Sequence, residues 1–97
     1  QDNMKNLGIM VDAMRQCIDN YMVRNSKTEI DEREANGELE RAGLLGDDNS
    51  HPGKPLRELL DTLRDSDMLP PNIIYRSGIW HIRHSKTIAI GMIIFQF

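Results

Sequence analysis

Histidine and cysteine, the side chains that most often carry nucleophilic or zinc chemistry, are few in this sequence: three histidines and one cysteine. A nucleophile needs a base within hydrogen-bond reach, and Cys17 has no accompanying pattern of histidine and asparagine. His81 and His84 would point to opposite faces of a strand, which makes them a poor ligand pair, and no cysteine–histidine spacing fits zinc. We therefore expect no enzyme, no metal site and no cofactor, with Cys17 as a small core residue.

The segment 46–53, GDDNSHPG, concentrates polar and turn-forming residues. Its acidic pair, Asp47 and Asp48, offers the oxygen ligands that calcium prefers, but the segment lacks the alternating ligands and closing glutamate of an EF-hand loop. The dipeptide Gly53-Lys54 lacks the further glycines and the Ser or Thr of a phosphate-binding loop. We therefore expect an exposed loop here.

The length of 97 residues leaves room for a single domain, residues 1–97, with one small core. Its net charge of -3 does not by itself indicate a nucleic-acid partner. The charge is unevenly spread, however, because residues 1–50 carry 6 basic and 11 acidic side chains whereas residues 51–97 carry 6 and 4. A local basic face acts over a Debye length of about 8 to 10 Å, so the acidic total does not exclude an anionic partner.

The sequence shows no targeting or membrane-spanning segment. Residues 1–5 lack the basic and apolar pattern of a secretion signal. The uncharged run 88–97 has about half of the roughly 20 residues that a spanning helix needs. Because a single cysteine also fits a reducing compartment, we expect a cytoplasmic protein with no membrane partner.

Apolar residues recur at spacings of three and four between residues 4 and 24, which is typical of an amphipathic helix. The apolar face is rich in methionine, a residue that fills irregular gaps in a core. We therefore predict a first helix over 4–24 whose core-facing side chains are Leu7, Met10, Val11, Met14, Cys17, Ile18, Tyr21 and Met22.

Two capping patterns precede the second predicted helix. Ser26 or Asp31 would each place an oxygen acceptor at the helix start, with a glutamate three residues further on. The second choice leaves a short extended piece before a helix over 32–43. Gly37 inside that helix predicts either a close-packing site or a break, and Gly43 is a natural helix end.

Pro55 favours the start of a third helix, because a residue in the first turn of a helix needs no N–H and proline already has a helical φ. Four leucines then follow at spacings that place them on one face, and Pro70-Pro71 prevents continuation. We predict a third helix over 54–67 whose outward face carries charges of both signs.

Residues 72–84 have the pattern of a hairpin around the dipeptide Ser77-Gly78. A two-residue turn would pair Tyr75 with Trp80, although a register shifted by one residue stays open because Ser-Gly is not the preferred type I′ dipeptide. One face, which should pack on the helices, would carry Ile73, Tyr75, Trp80 and Ile82, and the other, basic face would carry Ile74, Arg76, Ile79, His81 and Arg83.

The last segment, 87–96, is apolar on both faces and predicts a third strand or an apolar tail. A strand of this composition at an open sheet edge invites association. Three arrangements stay open: the first helix covers the segment, a second subunit pairs with it in a homodimer, or it belongs to a longer protein.

The order of helix, short extended piece, helix, turn, helix and two-stranded hairpin resembles the winged helix-turn-helix superfamily. The resemblance covers Met4 to His84 and is carried by "LERAGLL" at the end of the second helix, "GKPLRELLDTLRD" as the third helix and "NIIYRSGIWHIRH" as the wing. It rests on element order and patterning, and it implies an α+β fold.

This resemblance implies that the third helix enters the major groove of double-stranded DNA and that the hairpin contacts the backbone or minor groove. Arginine can bind guanine through two hydrogen bonds, while lysine and helix-start N–H groups bind phosphates. The residues at the matching positions are Asn49, His51, Lys54, Arg57, Arg64, Arg76, Arg83 and Lys86.

Two features of the sequence favour a different partner. Glu58, Asp61 and Asp65 lie among the basic residues of the third helix, where they could form surface ion pairs. A wing that turns on Ser77-Gly78 is also too short to reach far. The alternative is a protein-interaction or dimerisation module on the same scaffold, with the acidic first half and the apolar end as contact surfaces. Trp80 and Tyr75, which could stack on single-stranded bases, are expected in the core.

Overall fold

The computed structural model describes the backbone of residues 2–86 and the side chains of residues 6–86. It is a winged-helix-like α+β domain with three helices and a three-stranded antiparallel sheet, which confirms the predicted fold class. The elements, in chain order, are α1 (Asp2–Arg24), β1 (Glu29–Asp31), α2 (Glu32–Arg41), α3 (Lys54–Asp65), β2 (Ile73–Arg76) and β3 (Ile79–Arg83).

The hairpin of β2 and β3 has the predicted register, with Tyr75 opposite Trp80. Ser77 and Gly78 have φ angles of 55° and 78°, as a type I′ turn requires, so local chain geometry fixes the pairing. β1 pairs with the other edge of β3, which makes β3 the central strand in the order β1-β3-β2. The inward residue of β1, Ile30, is buried opposite Ile82.

The start of α2 uses the second of the two predicted caps. The Asp31 side chain accepts a hydrogen bond from the backbone N–H of Glu34 at 2.9 Å. Ser26 instead follows the end of α1 with a φ of 55°, outside the extended region that an N-cap residue adopts. The short extended piece predicted before the helix is therefore present as β1.

The predicted interruption at Gly37 does not occur. α2 runs through this position to Arg41, and a methyl group placed on Gly37 would meet no atom within 4 Å, so the residue is not a close-packing site either. The helix then ends at Ala42 and Gly43, whose φ of 76° is in the left-handed region. α2 and α3 each stop two residues before the predicted bounds because their final residues form turns.

The core lies where α2, the central helix, meets α1, α3 and β3. Met14 and Met22 pack inward as predicted, whereas Met10, which was predicted to face the core, is exposed because this part of α1 extends past the elements that pack on it. Cys17 is half-buried with a free thiol. Tyr75 differs from the prediction, since it lies next to the hairpin turn and 52% of its surface is exposed. The buried apolar residues are Met14, Ile18, Met22, Ile30, Ala35, Leu39, Leu56, Leu60, Leu63, Trp80 and Ile82.

The predicted strand over 87–96 lies outside the described residues. Within the part of the chain that the structure describes, no helix is both long enough and apolar enough to cross a membrane.

Candidate nucleic-acid interface

The start of α3 is pressed closely against the start of α2. Gly53, the residue before α3, has a φ of 89°, and a methyl group placed there would lie 3.2 Å from the backbone of Arg33. Any larger residue would therefore have to separate the two helix starts as well as adopt a strained backbone. This close approach brings Arg33 of α2 beside Lys54, the first residue of α3.

The backbone N–H groups at the start of α3 already have partners inside the protein. Asn36, a fully buried residue of α2, accepts a hydrogen bond from the N–H of Leu56 at 2.9 Å. The N–H of Lys54 donates to the carbonyl of His51, and that of Arg57 donates to the carbonyl of Gly53. The helix start is therefore capped from within, and phosphate binding at this end would depend on side chains.

A surface groove runs along the start of α3 and has Arg33 on its α2 side. Arg33 and Lys54 are both exposed, and among residues 6–86 neither lies within 4.0 Å of a carboxylate oxygen. His51 also lines this groove, with its Nδ1 3.9 Å from Asp48 Oδ2. The remaining residues that line the groove are Ser50, Pro52, Arg57, Glu58 and Asp61.

The two acidic residues of the loop before α3 stabilise that loop by accepting hydrogen bonds from its own backbone. Asp47 Oδ1 accepts the N–H of Gly53 at 2.9 Å, and Asp48 Oδ1 accepts the N–H of Ser50 at 2.8 Å. The hydrogen bond from the Ser50 backbone is the main reason that the pKa of Asp48 is lowered. Asn49, between Asp48 and Ser50, is exposed. No group of three or more potential metal-ligating side chains occurs within the described residues.

Arg57 is held by a carboxylate that the sequence pattern did not single out. Its guanidinium contacts Glu32 Oε2 at 2.6 and 2.7 Å, and this contact raises the pKa of Arg57. Glu32 is only 1% exposed, and its other oxygen accepts the backbone N–H of Trp80 at 2.9 Å. Arg57 therefore joins α3 to α2 and, through Glu32, to β3, and its charge is balanced within the protein.

Arg64 is similarly compensated at the other end of α3. Its guanidinium lies 3.4 Å from Asp65 and 3.8 Å from Asp61, and it covers the Trp80 ring at 5.7 Å from the ring centre. The indole N–H of Trp80 donates to Asp61 at 3.1 Å. Trp80 is buried, as predicted, and Tyr75 packs edge-on against it. Only Tyr75 of these two rings is open to a ligand.

The basic face of the hairpin is partly compensated by one residue of β1. Glu29 contacts Arg76 at 2.6 Å and Arg83 at 3.1 Å, and the His81 ring lies 3.3 Å away. The hydrogen bond from Arg76, followed by that from Arg83, lowers the pKa of Glu29. Glu29 reaches this position because β1 pairs with β3 and places it directly opposite Arg83.

Lys86 lies in a different place from the other predicted cations. It is exposed beyond the end of β3, in a shallow depression that it shares with Arg15, Gln16 and Asn20 of α1. The eight predicted residues therefore divide among the start of α3, the later turns of α3, the hairpin face and the α1 side of the molecule.

Arg33 was missed by the sequence analysis. Periodicity could have marked it as an outward residue of α2, because it falls off the face formed by Ala35 and Leu39. Its position beside Lys54 depends on the close approach of Gly53, which no local pattern indicates.

Comparison of the chain with protein-family models, with curated proteins and with solved structures finds no match.

Proposed function

We propose that this chain is a winged-helix DNA-binding domain that contacts double-stranded DNA with the start of α3 and the start of α2. The observation that carries the proposal is the pair of exposed cations, Arg33 and Lys54, that lack a carboxylate partner among the described residues and flank one groove. In helix-turn-helix proteins the first residues of the recognition helix approach base edges while the preceding helix crosses the backbone. In this proposal Arg33 and Lys54 take the corresponding roles.

The later turns of α3 limit how much DNA this helix can contact. Arg57 and Arg64 are paired, whereas Glu58 is exposed on the same face, so the helix is basic at its start and acidic further along. Such a face would repel phosphates beyond the first turn. The proposal therefore predicts few phosphate contacts and modest affinity.

The hairpin has a secondary part in this proposal. Arg76 is half-exposed and could approach a phosphate, but Glu29 competes for its guanidinium. The domain would act in the cytoplasm as a regulator or as the targeting part of a larger protein, without catalysis. The free thiol of Cys17 is compatible with such a reducing compartment.

The test is a titration of labelled duplex DNA at two salt concentrations with Arg33→Gln, Lys54→Gln and Lys86→Gln variants. We expect each of the first two variants to weaken binding about three- to tenfold at low salt, and less at high salt, because each removes one phosphate contact. Lys86→Gln is the matched control, with the same change of charge on the α1 side, and should stay within about twofold of the wild type.

Arg57 is not suitable for this test, because its replacement would leave the buried Glu32 without its cation. Absence of binding at low salt would contradict the DNA proposal. Equal losses in all three variants would show attraction by total charge alone and would overturn the assignment of the surface.

The charge balance of the hairpin and of the later turns of α3 favours a second candidate, a protein-interaction module. Interfaces between proteins commonly place paired charges at their rim. This candidate predicts no DNA binding at any salt concentration, together with retained folding of all three variants.

A further inference from the structure

An apolar groove separates α1 from α3. α1 packs on α2, and α2 in turn packs on α3, so the facing sides of α1 and α3 line a narrow groove that has the sheet at its base. The groove walls are mostly aliphatic, with Arg15, Asp19 and Asn72 as the polar residues of the lining. The side chains that matter here are Val11, Met14 and Ile18 of α1, Leu59 and Leu63 of α3, and Ile73 of β2.

The chain itself arrives at one end of this groove after β3. The N–H of Ser85 donates to Asp19 Oδ1 at 3.0 Å, and its hydroxyl donates to the other oxygen of the same carboxylate. Arg15, which pairs with Asp19, also contacts the Ser85 hydroxyl at 3.5 Å. Arg15 and Asp19 both line the groove, so Ser85 lies at its rim.

The segment that follows Lys86 in the sequence is apolar, like the walls of the groove. Residues 87–97, TIAIGMIIFQF, contain no charge and are predominantly apolar. An uncharged segment can enter an aliphatic channel without the cost of dehydrating an ionic group. The same segment left in water would expose a continuous hydrophobic strand, which favours association.

The length of the segment also fits the length of the groove. Asp19 and Val11 are eight residues apart on α1, which corresponds to about 12 Å along a helix axis. An extended chain covers about 3.3 Å per residue, so about four residues beyond Lys86 would span this part of the groove.

We propose that this groove is the docking site for residues 87–97 of the same chain, which would complete the core between α1 and α3. Asp19 and Ser85 form the fixed point from which the segment enters. This inference is independent of DNA binding, since the groove lies apart from Arg33 and Lys54.

Disulfide trapping in the full chain tests the docking. In a Cys17→Ala background, Leu59→Cys is combined in turn with Ile88→Cys, Ile90→Cys or Met92→Cys, and the protein is oxidised mildly at low concentration. A disulfide needs Cα atoms within about 7 Å, so at least one pair should form within one molecule at least about tenfold faster than its control. The matched control replaces Leu59→Cys with Val23→Cys, on an exposed part of α1 that does not line the groove.

Equal rates for the Leu59 and Val23 pairs would overturn the proposal, as would disulfides that form only between molecules, which would assign the groove to a second copy. Amide hydrogen exchange gives a second readout that needs no cysteine. Protection within residues 87–97 should fall at least about tenfold in Leu59→Glu and remain in Val23→Glu. Unprotected amides in the wild type would also overturn it.

Discussion

The start of α3 and the outer face of the hairpin both carry cations, yet they differ in what surrounds those cations. At the start of α3, Arg33 and Lys54 lie along an open groove. On the hairpin, Arg76 and Arg83 share the carboxylate of Glu29. The comparison shows that the number of basic residues in a segment does not by itself determine its field, because an acidic residue brought in by strand pairing can offset part of it.

The largest predicted effect concerns the geometry that makes the start of α3 available. Asn36→Ala removes the acceptor for the Leu56 N–H and the amide that donates to the carbonyls of Leu45 and Gly46. Because Asn36 is fully buried, the N–H would be left unpaired, and we expect the free energy of unfolding to fall by about 2 to 3 kcal/mol. Urea denaturation measures this change.

The control for that variant is Asn20→Ala, since Asn20 is exposed on α1 and should change stability by less than about 0.5 kcal/mol. If both variants were equally stable, Asn36 would not be the cap that fixes α3.

The next largest effect is the loss of stability when an arginine that pairs with a buried carboxylate is replaced, compared with an arginine whose partners are exposed. Arg57→Ala would leave the buried carboxylate of Glu32 without its cation, and we expect a loss of about 2 kcal/mol after allowing for the half-exposed position of Arg57. Arg64→Ala, on the same helix and with exposed partners, should lose less than about 1 kcal/mol. Thermal or urea unfolding distinguishes the two, and a reversed order would contradict the assignment of Arg57 as a structural residue.

The third prediction concerns a variant that leaves the hairpin arginines without a carboxylate partner among the described residues, as Arg33 and Lys54 are at the start of α3. Glu29→Gln would free Arg76 and Arg83, and we expect DNA affinity at low salt to rise about three- to tenfold. Asp12→Asn on α1 has the same charge change at an exposed position that lines neither the α3 groove nor the hairpin cluster, and it should alter affinity by less than about twofold. An unchanged affinity for Glu29→Gln would mean that the hairpin does not approach the DNA.

A smaller effect is expected from Glu58, the exposed acid on α3. Glu58→Gln should raise DNA affinity about two- to threefold, because it removes one repulsive charge close to Lys54. Asp67→Asn, an exposed position beyond the helix end, provides the matched control. A titration in which both variants match the wild type would place the DNA away from this face.

The smallest effect is the pH dependence of the hairpin cluster. The pKa of Glu29 is lowered from its ordinary value of 4.5, mainly by Arg76, so the ionised form is favoured in the folded protein. Its contribution to stability is therefore complete above pH 4.5 and is lost as the pH falls through the lowered pKa. Denaturation between about pH 5 and pH 3 should show a shallower loss in Glu29→Gln than in the wild type. If the free energy of unfolding of the two proteins fell equally with pH, Glu29 would not contribute to the pH dependence of stability.

Local patterns predicted the elements of this fold well, because the interactions that define them are close in sequence. The Ser77-Gly78 turn fixed the hairpin register, and the leucine spacing of α3 identified its buried face. The cap of α2 stayed ambiguous from sequence because Ser26 and Asp31 offer the same chemistry. The structure separates them, because Ser26 has a left-handed backbone and Asp31 accepts the N–H of Glu34.

The site was predicted less completely, because its character depends on pairs that are distant in sequence. Glu32 is buried although glutamate is usually exposed, and its partner lies 25 residues away. Glu29 is separated from Arg83 by 54 residues. Hydrophobic periodicity reports which face of an element is buried but carries no information about which charged side chains meet.

The most direct test of the central claim is the salt dependence of DNA affinity in two sets of variants. The slope of log affinity against log salt changes by about 0.9 for each phosphate contact removed. The double variant Arg33→Gln/Lys54→Gln should therefore reduce the slope by about 2, whereas Arg76→Gln should reduce it by less than about 0.5 because that guanidinium is already paired with Glu29. An unchanged slope in the double variant, or a larger change in Arg76→Gln, would contradict the account.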